Sequence, residues 1–430
     1  MQAIVWILRG CPAGWLGAYG NEWVGTPNLD RIAAEGVVFD RHISNDPSPA
    51  GACAAWLGGP TASGPRLLAT LRAAGIRTVL VRANQPPTDA PEWFYAGWDE
   101  VFDARPQPGD RSPLATLLRQ LPHLLDRLAD SPYLLWIEID RLLPPWTVDQ
   151  EVFEAYVVDE PDADAADQQR EPADASRRAK PNDRAKPNDR ATDDASPAAN
   201  DSAAGDDPAD TEPVLPWTDP PTGWFDTNDL DSYDWLHSSF AAVVTTLDAE
   251  LGRMFQHLRD RGLDRTATWI ITSDLGYPLG EHGQVGLHRP WLHEELVHLP
   301  LLLRWPGGVE AGRRIPAFTQ PPDLAPTLLA VFGLTPEAGC NLLPLAQGQQ
   351  DSPRRFAITR LELGEAAEAA LRTADWAYLL PLRVPDGETR TPQLYEKPDD
   401  RWEVNDLRLR NIERADELDA LLRTALATPP

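Results

Sequence analysis

Unbroken apolar runs mark out the scaffold of this chain. Ile4-Val5-Trp6-Ile7-Leu8, Arg77-Thr78-Val79-Leu80-Val81 and Tyr133-Leu134-Leu135-Trp136-Ile137-Glu138-Ile139 are rich in β-branched and aromatic residues and do not alternate with polar ones. Such runs predict strands buried on both faces. Helical signals lie between them. Residues 26–36 open on Thr26 as N-cap candidate with Pro27 at the first helical position, place apolar residues at 29, 32 and 33, and stop at Gly36, which predicts a helix. Residues 67–74, closed by Gly75, and 113–129 predict two more, and Val37-Val38-Phe39 a short strand leading into a loop over 42–51. Farther on, Phe240, Val243, Val244, Leu247, Leu251, Met254 and Leu258 recur at helical spacing within 233–261, and Gly262 closes the element. Strands alternating with helices of this length predict an α/β fold with a large, mostly parallel sheet sandwiched by helices.

Residues 268–305 organise the second half. The apolar strand Thr268-Trp269-Ile270-Ile271-Thr272 breaks at Ser273-Asp274-Leu275-Gly276, and the stretch reads as strand, loop, strand, ending in Leu301-Leu302-Leu303-Arg304-Trp305. Asp274 falls at the carboxyl end of its strand, where open α/β sheets place their ligands. A helix over 322–332, strands over 356–359 and 376–380 and a last helix over 415–427 predict a small C-terminal α+β subdomain, residues 346–430. The α/β core is then formed by residues 1–158 and 214–345.

The segment between the two core pieces, 159–213, consists mostly of Asp, Ala, Pro, Arg and Ser, and Arg178-Ala179-Lys180-Pro181-Asn182-Asp183 repeats directly from Arg184. It lacks the apolar area needed to offset its ordering entropy and predicts a disordered acidic, Pro-rich insertion, with recruitment of a protein partner as the alternative.

Charge narrows the partners. With 39 basic and 66 acidic residues the net charge is −27, which repels nucleic acid and anionic lipid. The three cysteines, Cys11, Cys53 and Cys340, are odd in number and far apart, so no disulfide framework and no zinc site is implied. The first apolar run is too short for a membrane span and has no basic residues before it. A cytoplasmic location is the expectation.

Several of these segments in fixed order resemble the sulfatases, within the alkaline-phosphatase-like superfamily of metal-dependent ester hydrolases. Residues 26–37 are similar to the first helix signature and Ala74-Gly75-Ile76-Arg77-Thr78 to the second; Thr272-Ser273-Asp274, Leu279-Gly280-Glu281-His282-Gly283, Glu294-Glu295, Val297-His298-Leu299-Pro300-Leu301, Arg304-Trp305-Pro306-Gly307 and Asp323-Leu324-Ala325-Pro326-Thr327 follow in the family's order. Residues 394–406 resemble its C-terminal segment, so the resemblance spans nearly the whole chain outside the insertion. It implies sulfuric ester hydrolysis with a hard divalent cation such as calcium on oxygen ligands, an oxidised cysteine as nucleophile, and basic side chains around the sulfate.

Those residues are largely replaced here. The family's first metal pair falls on Arg9 and Gly10, and an arginine has no acceptor with which to hold a cation. The second pair falls on Asp274 and Leu275, which leaves Asp274 as the single surviving ligand, either a relic of metal binding or a strand-end carboxylate capping backbone amides. Counted back from Trp56-Leu57-Gly58-Gly59, the nucleophile motif falls on Pro49-Ala50-Gly51-Ala52-Cys53, so Cys53 reads as a buried helix cysteine. Ser48, one position earlier, could serve as a hydroxyl nucleophile but has no activating neighbour in sequence and reads equally as a turn residue. The usual Gly-Lys after the second strand becomes Arg82-Ala83, and the strand ending at Ile139 is followed by Asp140 and not by histidine. His288 and Arg289 remain as candidate anion contacts, with solvated loop charges as the alternative; His282, His293 and His298 are explained as well by packing as by chemistry.

The sequence thus predicts a pseudo-sulfatase, with no cofactor expected and the Arg9 guanidinium paired to Asp274 in place of a metal. One alternative is an active sulfate or phosphate ester hydrolase working through Ser48, His288 and Arg289 with calcium or another divalent cation. The other is a protein that holds a small sulfated or phosphorylated anion, or a protein partner, without turnover.

Overall fold

The computed structural model of the protein describes residues 1–61, 64–83, 91–106, 110, 112, 114–129, 131–157, 214–336, 339–352 and 354–427. The insertion expected at 159–213 lies outside the described residues.

The apolar runs become the centre of an eight-stranded sheet. Its strands are β1 (Gln2–Leu8), β2 (Val37–His42), β3 (Arg77–Arg82), β4 (Glu100–Asp103), β5 (Tyr133–Ile139), β6 (Ala267–Thr272), β7 (Leu301–Arg304) and β8 (Arg313–Thr319), in the spatial order β8-β2-β7-β6-β1-β5-β3-β4. Only β7 runs against the others. The three central strands β1, β5 and β6 are buried almost throughout, as expected of strands covered by helices on both faces. One apolar layer packs Trp6, Trp269 and Ile271 against α4 (Leu230–Asp260). The opposite layer packs Val5, Ile7, Trp136 and Ile270 against α2 (Pro49–Leu57) and α3 (Arg66–Ala73).

The first helix, α1 (Pro27–Ala34), begins at Pro27 as expected. The region read as a loop over 42–51 is shorter than predicted, because β2 extends to His42 and α2 starts at Pro49. Its Ala-Gly-Ala-Cys-Ala-Ala run carries no apolar period to announce a helix. The strand-loop-strand reading of 268–305 is also refined: a helical turn, Glu294–Val297, lies between β6 and β7.

The C-terminal subdomain is a four-stranded antiparallel sheet of β9 (Ala357–Leu363), β10 (Ala366–Arg372), β11 (Trp376–Arg383) and β12 (Gln393–Glu396), with Ile412–Ala427 as a helix against it. The fold is therefore the alkaline-phosphatase-like α/β arrangement with a small C-terminal sheet. No helix among the described residues is long and apolar enough to cross a membrane.

Candidate functional site

Strand register brings the candidate residues together. Ile7 pairs with Thr272 on one side and with Glu138 on the other, and Glu138 pairs in turn with Arg82. Side chains level across adjacent parallel strands share a face, so Arg9, two residues past Ile7, emerges on the same side as Glu138 and Arg82. Asp274 follows the end of β6 and arrives beside it.

Arg9 donates from Nε to Asp274 Oδ2 at 2.8 Å, and both residues are buried, at 5% and 1% exposure. The same carboxylate takes two backbone amides on Oδ1, from Gly10 at 3.0 Å and from Leu275 at 2.9 Å. The Asp274 carboxylate thus caps two backbone amides and pairs with Arg9 at once. Ser273 fixes the adjoining loops by accepting from the Cys11 amide at 3.0 Å and donating to the Leu275 carbonyl at 2.7 Å.

Around this pair lies a set of charges that sequence reasoning largely missed. Burial, with Asp274 adding and Arg9 opposing, pushes the Glu138 carboxyl up to about 7. Burial likewise raises Asp140 to about 6. The Arg9 guanidinium is also desolvated, but Asp274 and Glu138 outweigh this and hold it charged. Tyr95, whose phenol burial pushes upward, carries Arg82 over its ring at 4.8 Å. Glu138 escaped notice because it stands in an otherwise apolar strand, where the pattern marks core.

A divalent cation does not fit this centre. The guanidinium already occupies the Asp274 carboxylate, Gly10 offers no side-chain ligand, and Leu275 turns into an apolar cluster with Ile43, Leu292 and Leu296. Among the described residues no group of three or more His, Cys, Asp and Glu is placed to hold a metal ion.

Ser48 is the N-cap of α2: its Oγ accepts from the Gly51 amide at 3.0 Å. Burial raises the nearby Asp46 carboxyl, with hydrogen bonding from the Ser48 side chain and backbone opposing. Among the described residues, no hydrogen bond or ion pair joins that carboxyl to an imidazole or guanidinium that would complete a nucleophile. Cys53 lies buried on α2, its thiol pushed up first by burial.

His288 and Arg289 lie in another environment. Arg289 pairs with Glu388 at 2.7 Å and stacks over Trp224 at 4.7 Å and Trp291 at 5.0 Å, and the His288 ring meets Trp224 at 5.4 Å. Among the described residues, no hydrogen bond or ion pair joins either of them to Ser48, Arg9 or Asp274.

His282 and His293 form a junction between core and C-terminal subdomain. His282 Nδ1 meets Glu295 at 2.7 Å, and its ring stacks on His293 at 3.7 Å. His293 Nδ1 meets Glu403 at 3.0 Å, and Arg372 donates to the same glutamate at 2.8 Å. Against the opposing effect of burial, Glu295 and Glu403 raise His282 to about 9. Burial dominates at His293, which is lowered.

Comparison with known proteins adds the family. The sulfatase family profile matches residues 11–334. An N-acetylglucosamine-6-O-sulfatase of Bacteroides thetaiotaomicron is 31% identical over 125 residues, 28% of this chain and 22% of that protein. The first curated relatives are matched over only 22–39% of their own length. Among solved structures, the phosphonate monoester hydrolase of Agrobacterium radiobacter aligns with a TM-score of 0.68 at 17% identity, over 99% of this chain and 95% of that one. A structure in complex with its substrate D-glucosamine-2-N,6-O-disulfate gives 0.66 at 17% identity, over 98% and 97%. At such identities these two likenesses speak for the fold alone.

Proposed function

The chain belongs to the sulfatase family, and we propose that this member keeps the family fold but has given up metal-dependent ester hydrolysis. The observation that carries this reading is the 2.8 Å bond from Arg9 to Asp274. A cation at the sheet's carboxyl edge would stabilise charge developing on ester oxygens; Arg9 supplies a fixed positive charge there, but one that is buried and already spent on a carboxylate. It can neither ionise a water nor accept an oxygen ligand. Gly10 and Leu275 remove two further donors, and Ser48 is engaged as a helix cap. What the centre gains is a cross-link between the ends of β1 and β6, made without a metal.

One relative is an N-acetylglucosamine-6-O-sulfatase and one structural neighbour holds its substrate D-glucosamine-2-N,6-O-disulfate; by chemistry the ligand class of this chain is a small sulfated or phosphorylated anion, held without turnover. The test is hydrolysis of aryl sulfate, aryl phosphate and phosphonate esters with calcium, magnesium, manganese or zinc added in turn. No turnover above the protein-free control is expected. Metal-stimulated turnover that disappears in Asp274→Asn, or any turnover that disappears in Ser48→Ala, overturns the proposal.

A further inference from the structure

A second centre of positive charge lies elsewhere, in a cavity of about 230 Å³ between the β2–β8 edge of the large sheet and the C-terminal subdomain. Its walls carry Arg41, His298, Arg314, Arg372, Lys397 and Arg401, against the two carboxylates Asp40 and Glu294. None of Arg9, Ser48, Asp274, His288 and Arg289 lines it. Five guanidinium and ammonium groups face two carboxylates, and Glu403 behind the wall pairs with both Arg372 and Lys397, which leaves a local surplus of two positive charges in a chain of net charge −27.

The two acids are already committed. Asp40 takes Arg314 at 2.5 Å, and Glu294 takes His298 at 2.7 Å and Lys397 at 3.3 Å. The cations are not all satisfied in return. Arg372 is 3% exposed and uses Nη2 on Glu403 and on the Leu292 carbonyl, but among the described residues its Nη1 has no hydrogen-bond partner and its Nε has only Glu294, at 3.7 Å. His298 Nε2 is likewise buried without a partner among the described residues. Arg41 makes no ion pair among the described residues and rests over the Phe318 ring at 5.2 Å. A charged donor left unsatisfied in the interior carries a desolvation penalty that a ligand can remove.

We infer that this cavity is a binding site for a tetrahedral oxyanion, a phosphate or sulfate group, with room for a small organic substituent. The cations converge from separate elements, Arg41 from β2, Arg314 from β8, Arg372 from β10 and Lys397 just after β12. Such an arrangement suits an anion with oxygens pointing in several directions better than a planar carboxylate. Tyr19, Ile43 and Phe318 provide the apolar part of the wall, against which the substituent packs. The site shares its ligand class with the proposed function and none of its residues, so it stands whether or not the chain hydrolyses esters.

The test is equilibrium binding to the full chain, read by calorimetry and thermal shift, with inorganic phosphate, sulfate and acetate at matched ionic strength. Phosphate or sulfate should bind saturably and acetate at least tenfold more weakly. Arg41→Gln, which breaks no ion pair, should weaken binding tenfold or more. Ala374→Glu, at an exposed position on the rim, should do the same by repulsion. Arg289→Ala should leave it unchanged. Absence of saturable binding, equal affinity for acetate, or binding that survives both Arg41→Gln and Ala374→Glu overturns the inference. So does loss in Arg289→Ala alone, which would place the anion beside His288.

Discussion

Replacing Arg9 by methionine keeps most of the side-chain volume and removes the charge that faces Asp274. The carboxylate would keep its two backbone amides, from Gly10 and Leu275, but at 1% exposure it would lose the cation that pairs with it among the described residues. Breaking a buried pair by deleting one partner costs about 3–5 kcal/mol, because the remaining charge stays desolvated. A loss in that range is expected for Arg9→Met, read from urea denaturation at pH 7 by tryptophan fluorescence. Adding Asp274→Asn removes the stranded charge, so the double variant should regain about 1–3 kcal/mol relative to the sum of the single changes. The reasoning is refuted if Arg9→Met costs less than about 1 kcal/mol, or if the two changes simply add, since Arg9 would then not be what compensates Asp274.

Three further outcomes follow from the same geometry. Glu138, raised from 4.5 to about 7 and 7% exposed, brings stability that is complete below about 4.5 and lost as pH rises through 7, so Glu138→Gln should flatten the pH dependence between pH 5 and 8 and be more stable than the parent at pH 8 by on the order of 3 kcal/mol. Denaturation at the two pH values checks this, and an unchanged slope contradicts it. His282, raised from 6.5 to about 9, has a bonus that is complete below 6.5 and lost through 9, so His282→Gln should destabilise at pH 6 with a difference that closes toward pH 10; a difference independent of pH would show that Glu295 does not act through charge. Ser48→Ala should cost about 1 kcal/mol as the loss of an N-cap, and its thermal denaturation should show that loss without a change in any turnover.

Much of the fold is legible in the pattern, because buried parallel strands need continuous apolar runs and the helices between them need a period. Where neither constraint acts, the sequence is silent. The edge strands β4 and β8 are polar or interrupted, and β10 reads Ala-Ala-Glu-Ala-Ala-Leu, a helix-forming composition that becomes a strand because β9 and β11 pair with it on both sides. At the candidate site Asp274 is legible from its place just past an apolar strand, and Arg9 follows once the two strand ends are seen as neighbours. Glu138 is not, since a lone carboxylate in an apolar run looks like core until the register sets it beside Arg9. The basic cavity is still less legible: Arg41, Arg314, Arg372 and Lys397 are separated along the chain and meet only through the packing of two sheets.

The central claim, that a guanidinium has replaced the metal, is tested most directly by the metal content of the purified chain after exposure to calcium, magnesium, manganese and zinc and removal of unbound ion. The parent chain should retain none at its centre, with a stoichiometry indistinguishable from that of Asp274→Asn. About one tightly held divalent ion per chain, present in the parent and lost in Asp274→Asn, would contradict the account.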